Sequence, residues 1–249
     1  GHVSLMAAGR PFWSGFREFR ERTKDKLFSF EVIRNSYIKS GFTSVSGRYA
    51  YGKLDNDIGY LFVANLSGEK PGFTEAFIQA NQSSKGIIID LRHNAGGDFT
   101  NGEIIAQHFA GKRTLAFSAT PKNGPRANDF GATIDYYLEP KGTQFTKPVI
   151  VLIDNYTISA GESLVLYLKD LPQVTLVGEH TTGAMGERVE KEMPNGWIYS
   201  ITGQIITAAD GKIYEGPGIP PDVTMVNTEA DVSNGVDKTL EKAMEMIGQ

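Results

Sequence analysis

The strongest pattern along the chain is a set of short, unbroken apolar runs, each ending in charge and followed by a polar corner. KGIIIDLR (85–92), PVIVLID (148–154) and VTLVGE (174–179) are the clearest. Runs of this length, rich in Ile and Val, fit strands buried on both faces, as in a parallel sheet. The stretches behind two of the corners read as helices: TNGEIIAQHFAG (100–111), closed by Gly111, and GESLVLYLKDL (161–171). GFTEAFIQANQSS (72–84) is a third, with Thr74 as its cap. SVSGRYAYGKL (44–54) and IGYLFVANL (58–66) fit two further strands. Strands alternating with helices predict an α/β fold with a largely parallel central sheet.

The remaining segments are less regular. Residues 14–40 interleave charges with Phe, Leu, Ile and Val and predict one or two helices. Residues 118–147 are polar and read as an elaborated surface segment. Residues 188–213 suggest a hairpin turning at Asn195-Gly196, and 231–247 a terminal helix. With no internal repeat and no low-complexity linker, the division is an N-terminal segment with a helical arm (1–44) and one catalytic-type domain (45–249).

Composition narrows the function classes. A chain of 249 residues, 40% hydrophobic and 22% charged, can bury a full core. A net charge of −4 without a long basic run argues against a nucleic-acid partner. No apolar stretch reaches the roughly 18 residues of a membrane span. Cysteine is absent, which removes disulfides, thiol nucleophiles and thiolate metal sites. The chain opens on GHVSLM, without an initiator Met or a signal peptide, as a processed or trimmed chain would.

Three corners carry candidate chemistry, because functional loops in such sheets gather at the carboxyl ends of the strands. In DLRHNAGG (90–97), Gly96-Gly97 frees the backbone to point amides at a ligand; a tight turn is the alternative. In TISAGES (157–163), Ser159 sits where a strand gives way to a helix, with helix amides behind it and the Ala160 amide as an oxyanion donor. A helix N-cap is the alternative there. Ser163, one turn further in, is worse placed for attack. In YEGPGIPPD (214–222), Glu215 precedes a rigid Gly/Pro turn; the alternative is an ordinary solvated carboxylate.

Taken together, Asp90-Leu91-Arg92, Asn94, Gly96-Gly97, then Ser159-Ala160-Gly161-Glu162, then Val177-Gly178-Glu179 with Thr181 and Gly183, then Glu215, Gly218, Pro221 and Asp222 resemble the C-terminal processing (tail-specific) serine peptidases. Within these the sequence is most similar to the branch of the tricorn core and the retinoid-binding-protein-like domains. The resemblance spans residues 45–225. It implies a Clp protease/crotonase-like α/β fold and an endopeptidase acting on peptide or protein substrates, with no metal or cofactor. It also implies Ser159 as nucleophile and the amides of Gly97 and Ala160 as oxyanion hole, with Gly96 allowing the close approach.

One departure matters. Where the processing peptidases carry a lysine as general base, this chain has Ala184. A serine hydroxyl needs a base beside it. Lys191 is the nearest lysine but has no motif support. The tricorn-like branch uses an upstream histidine, and GHVSL resembles the segment that opens its bacterial catalytic units, so the resemblance makes His2 the base with Glu215 holding or stabilising the ring. The alternative for Gly-His at this position is a cloning remnant. His93 matches a variable position; His108 and His180 read as packing or surface residues. About 45 residues separate GHVSL from the first core strands, too few for a PDZ domain. A non-catalytic ligand-binding member of the same fold and a crotonase-type acyl-CoA enzyme are the rival readings. The family ranges from monomers to rings, and its bacterial members are usually exported, which points to periplasm, cell surface or secretion.

Overall fold

The computed structural model describes residues 4–7, 10–14 and 26–248, and the side chains of 4–6 and 26–248. In chain order its strands are β1 (Ser4–Ala7), β2 (Arg10–Ser14), β3 (Ser40–Val45), β4 (Tyr49–Leu54), β5 (Ile58–Val63), β6 (Gly86–Asp90), β7 (Thr114–Pro121), β8 (Ile134–Leu138), β9 (Val149–Ile153), β10 (Val174–Gly178), β11 (Arg188–Glu192), β12 (Ile198–Thr202), β13 (Gln204–Ala208) and β14 (Val223–Thr224). The main helices are α1 (Thr74–Ala80), α2 (Phe99–Ala106), α3 (Ala160–Leu168) and α4 (Lys238–Gly248).

The central sheet runs β14-β10-β9-β6-β5-β4-β3. Its pairs from β5 through β14 are parallel, and the β3–β4–β5 edge is antiparallel. The continuous apolar runs have the expected cause: both faces are covered. Ile87, Ile89, Val149, Val151 and Ile153 join the core beneath α1, α2 and α3, and Ile88, Ile150 and Leu152 join the one beneath α4. Because successive residues alternate faces, a run without polar breaks feeds both cores at once. Each such side chain contributes about 1.5–3 kcal/mol by leaving water.

A buried ion network ties the sheet to the C-terminal segment. Arg92 donates to both oxygens of Asp90 (2.9 and 2.6 Å) and to Asp237 (2.9 Å), and Tyr60 donates to Asp90 (2.8 Å). The guanidinium also lies 4.6 Å from the centre of the Phe28 ring.

Several elements differ from expectation. The stretch 44–54 folds back on itself: Ser46 and Gly47 take positive φ, and β3 pairs with β4. Residues 118–147 are not merely surface loop. They supply β8 and part of β7, which form an antiparallel sheet with β13 in the order β13-β7-β8. The hairpin turning near Gly196 (φ +77) is present as β11–β12, and β12 also pairs with β1, giving a sheet β11-β12-β1-β2. Thr74 is buried, and its hydroxyl donates to the Pro71 carbonyl instead of capping α1. Helix α2 is capped by Asp98 and stops at Ala106, short of Gly111. The terminal helix is broken at Asn234-Gly235 into Glu229–Ser233 and α4, because Gly235 adopts φ +74. Of the expected helical arm, the described part is Phe30–Val32 running into a wider turn, Ile33–Tyr37; residues 15–25 lie outside the described residues.

Candidate active site

The corner after β9 is built from inside. The Asp154 carboxylate accepts from the amides of Tyr156 (3.1 Å), Thr157 (3.0 Å) and His93 (3.0 Å), and the Thr157 hydroxyl donates to Leu91 O (2.9 Å). The loops after β6 and β9 are therefore stitched together at their roots. They meet again at the top, where the Ile158 amide donates to Asn94 O (3.1 Å). Asn94 is fully buried; its side chain donates to Val63 O (2.7 Å) and accepts from the Gly96 amide (2.9 Å).

Ser159 stands on this corner with φ 58° and ψ −124°. A non-glycine residue held there costs about 1–3 kcal/mol, and such strain persists where neighbours impose it. The sequence pattern Ser-x-x-Glu is that of a capping box, and the corner adopts it, with the Ser159 amide donating to Glu162 Oε2 (3.1 Å). Ser159 thus stands at the N-cap of α3 and lines the cleft described below.

Glu162 is the buried hub of the site. Besides Ser159, it accepts from the Thr181 hydroxyl (2.5 Å) and from the amides of Gly183 (2.8 Å) and Ala184 (2.9 Å). Burial pushes its carboxyl up to about 7, against the downward pull of those donors. Ala184, 2% exposed, returns the contact by accepting from the Ser159 amide (3.1 Å). The sequence places Glu162 in the Ser159-Ala160-Gly161-Glu162 motif without a role, and the Ser-x-x-Glu spacing points only to its bond with the Ser159 amide.

Both glycines of DLRHNAGG sit where a side chain would collide with a neighbour. A Cβ on Gly96 (φ +79) would lie 2.8 Å from Ser159 Cβ, and one on Gly97 (φ +136) would run into the Leu66 backbone. Leu66 N donates to Gly96 O and Asp98 N to Leu66 O, so the Gly97 amide faces away from Leu66. Neither it nor the Ala160 amide, the first of α3, donates to another described residue. The Gly96 amide differs: Asn94 takes it, so Gly96 gives room and not an oxyanion donor.

Ser159, Gly97 and Ala160 open on a cleft of about 440 Å³ whose far wall is the β13-β7-β8 sheet, with Phe117, Ala119 and Ile206. Ser163 lines it too, but is buried on the first turn of α3. The Glu215 carboxylate is held by the amides of Met185 (2.7 Å) and Gly186 (3.1 Å) and by the Thr202 hydroxyl (2.8 Å), and both Met185 and Gly186 line the cleft. His2 lies outside the described residues. Its neighbour strand β1 begins at Ser4, which pairs with Ser200, two residues before Thr202. His93 is engaged elsewhere: its Nε2 is 3.2 Å from Asp154, and its ring packs between Phe28 and Tyr156. His108 is buried against Thr143 O, His180 is exposed, and Lys191 lies on the exposed strand β11.

Comparison with known proteins bears on the family and the fold. The sequence profile of peptidase family S41 matches residues 57–225. The carboxy-terminal processing protease CtpA of Bacillus subtilis is 29% identical over 171 residues, 68% of this chain and 35% of that protein. A carboxy-terminal-processing protease of Bartonella bacilliformis is 25% identical over 76% of this chain and 43% of its own length. The chain thus spans less than half of either relative. A crystal structure of a Parabacteroides merdae protein superposes with a TM-score of 0.86 at 28% identity, covering 99% of this chain and 78% of that one. The photosystem II D1 C-terminal processing protease shares the fold at a TM-score of 0.55 and 22% identity, over 68% of this chain and 42% of that one.

Proposed function

The chain belongs to peptidase family S41, and on that premise we propose that it is a serine endopeptidase that cleaves peptides or protein tails through an acyl-enzyme, with Ser159 as nucleophile. The observation that carries this reading is the Ser159 corner itself: a serine held at positive φ at the mouth of a cleft, beside two amides that donate to no other described residue.

In the proposed reaction Ser159 Oγ attacks the scissile carbonyl while His2 takes its proton and later returns it to the leaving amine. The amides of Gly97 and Ala160 receive the oxyanion; a single such donor is worth about 3–4 kcal/mol. Glu215, anchored by two amides and Thr202, stabilises the imidazolium. The choice of His2 rests on the resemblance of GHVSL to the segment that opens the catalytic units of the tricorn-like branch. Ala184, buried against Ser159, leaves no lysine at the position the processing peptidases use. Substrate delivery outside the cytoplasm is part of the same proposal, drawn from the family.

A fluorophosphonate probe tests it. The expected result is a single adduct that maps to Ser159 after digestion. An adduct on Ser163, or peptide cleavage that survives Ser159→Ala, overturns the assignment.

A further inference from the structure

We infer that the cleft beside Ser159 selects substrates with a large apolar residue immediately before the scissile bond, and that Ala119 sets the depth of the pocket receiving it; this rests on the peptidase reading above. The cleft is lined at once by Ser159, by the residues of both oxyanion amides and by the β13-β7-β8 wall. A carbonyl placed in the oxyanion hole therefore carries its own side chain toward that wall. Its buried side chains are the apolar Phe117, Ala119, Met185 and Ile206, with Ser163 beside them, and Gln204 is half-buried.

Two features give the pocket its shape. Phe117 stacks on Tyr136 (4.8 Å between ring centres, 17° between planes), and Phe99 meets the other side of Tyr136 edge-on at 5.4 Å. This aromatic wall is rigid, since each ring is braced by another. Two residues along β7 from Phe117, on the same face, the lining is only a methyl group, Ala119, 2% exposed. The charged lining residues Asp98, Glu187 and Arg188 are all exposed and stand at the rim. A charged substrate side chain finds no charged partner inside, since the charged lining residues stand at the rim, and burying an unpaired charge is costly.

The experiment uses peptidyl diphenyl phosphonates, which modify serine peptidases in a substrate-like pose, differing only in the side chain next to phosphorus: Ala, Leu, Phe or Asp. Labelling rates are read by intact mass, with a small fluorophosphonate as the control for a competent Ser159. Leu and Phe are expected to react about 10- to 200-fold faster than Ala, the range a hydrophobic pocket discriminates, with Asp slowest. Ala119→Leu should erase the advantage of Phe over Ala. Equal rates for Ala, Leu and Phe on the unaltered chain, or Asp reacting fastest, overturn the inference even if the variant does not fold. Unchanged selectivity in a folded Ala119→Leu removes Ala119 from the role. Failure of the small probe as well strikes the serine-peptidase reading instead.

Discussion

Replacing Glu162 by Gln should separate stability from activity in this site. Glu162 is fully buried, and its two oxygens accept from four donors. Its carboxyl is raised from 4.5 to about 7 by burial, so the ionised form is disfavoured in the folded state by about 3 kcal/mol. The folded chain holds this proton more tightly than the unfolded chain. The associated stability is therefore fully present below about pH 4.5 and is lost as pH rises to about 7. Gln stands in for the neutral acid, but its NH₂ accepts nothing, which orphans a further donor at a cost of about 1–3 kcal/mol. At pH 8 the two effects nearly cancel, and E162Q should lie within about 2 kcal/mol of the parent, while at pH 5 it should be less stable. Urea melts at both pH values read this directly: the parent should lose about 2–3 kcal/mol relative to the variant between pH 5 and pH 8. Activity should not cancel. The 183–184 loop and the Ser159 amide lose their common anchor, and misplacement of a catalytic group by about 1 Å can cost about 10²-fold. Parallel stability profiles for the two proteins, or full activity in E162Q, would refute the reasoning.

Other perturbations test the remaining parts. Ser159→Gly relieves the positive φ and should raise stability by about 1 kcal/mol in urea melts while abolishing probe labelling; a less stable variant would mean the corner is not strained. Gly96→Ala puts a methyl 2.8 Å from Ser159 Cβ and should slow labelling by about 10²-fold or more with the far-UV spectrum retained. His2→Ala should lower peptide turnover by about 10²-fold or more, whereas His93→Ala should leave most of it; the reverse ranking would transfer the role of base to the His93–Asp154 pair.

The legible parts of this fold were those whose local signal and tertiary role coincide. Strands 86–90, 149–153 and 174–178 are apolar because both faces are covered, so the run and the burial say the same thing. The glycine pair and the Ser159 corner were legible because close approach and positive φ restrict the residues that fit. The β13-β7-β8 sheet was not, since its outer positions, such as Ile134 at 52% exposure beside Asp135, mix solvent and core without a clean period. Thr74 misled because a capping residue and a buried hydroxyl bonded to Pro71 look alike in sequence. The hub role of Glu162 depends on Thr181, Gly183 and Ala184, some twenty residues away, and no local pattern announces that they return to it.

The Arg92 network bears on where this folding unit ends. The family match stops at residue 225, yet Asp237, twelve positions later, supplies one of the two carboxylates that neutralise a guanidinium sealed beneath the sheet. A fragment cut at the end of the match would leave that cation half-compensated, a defect of about 3–5 kcal/mol. It would also uncover Leu240, Ala243 and Ile247 from the lower core. Recognition by sequence profile and autonomy in solution are thus different boundaries in this chain, and a minimal expressible unit has to be drawn to the latter.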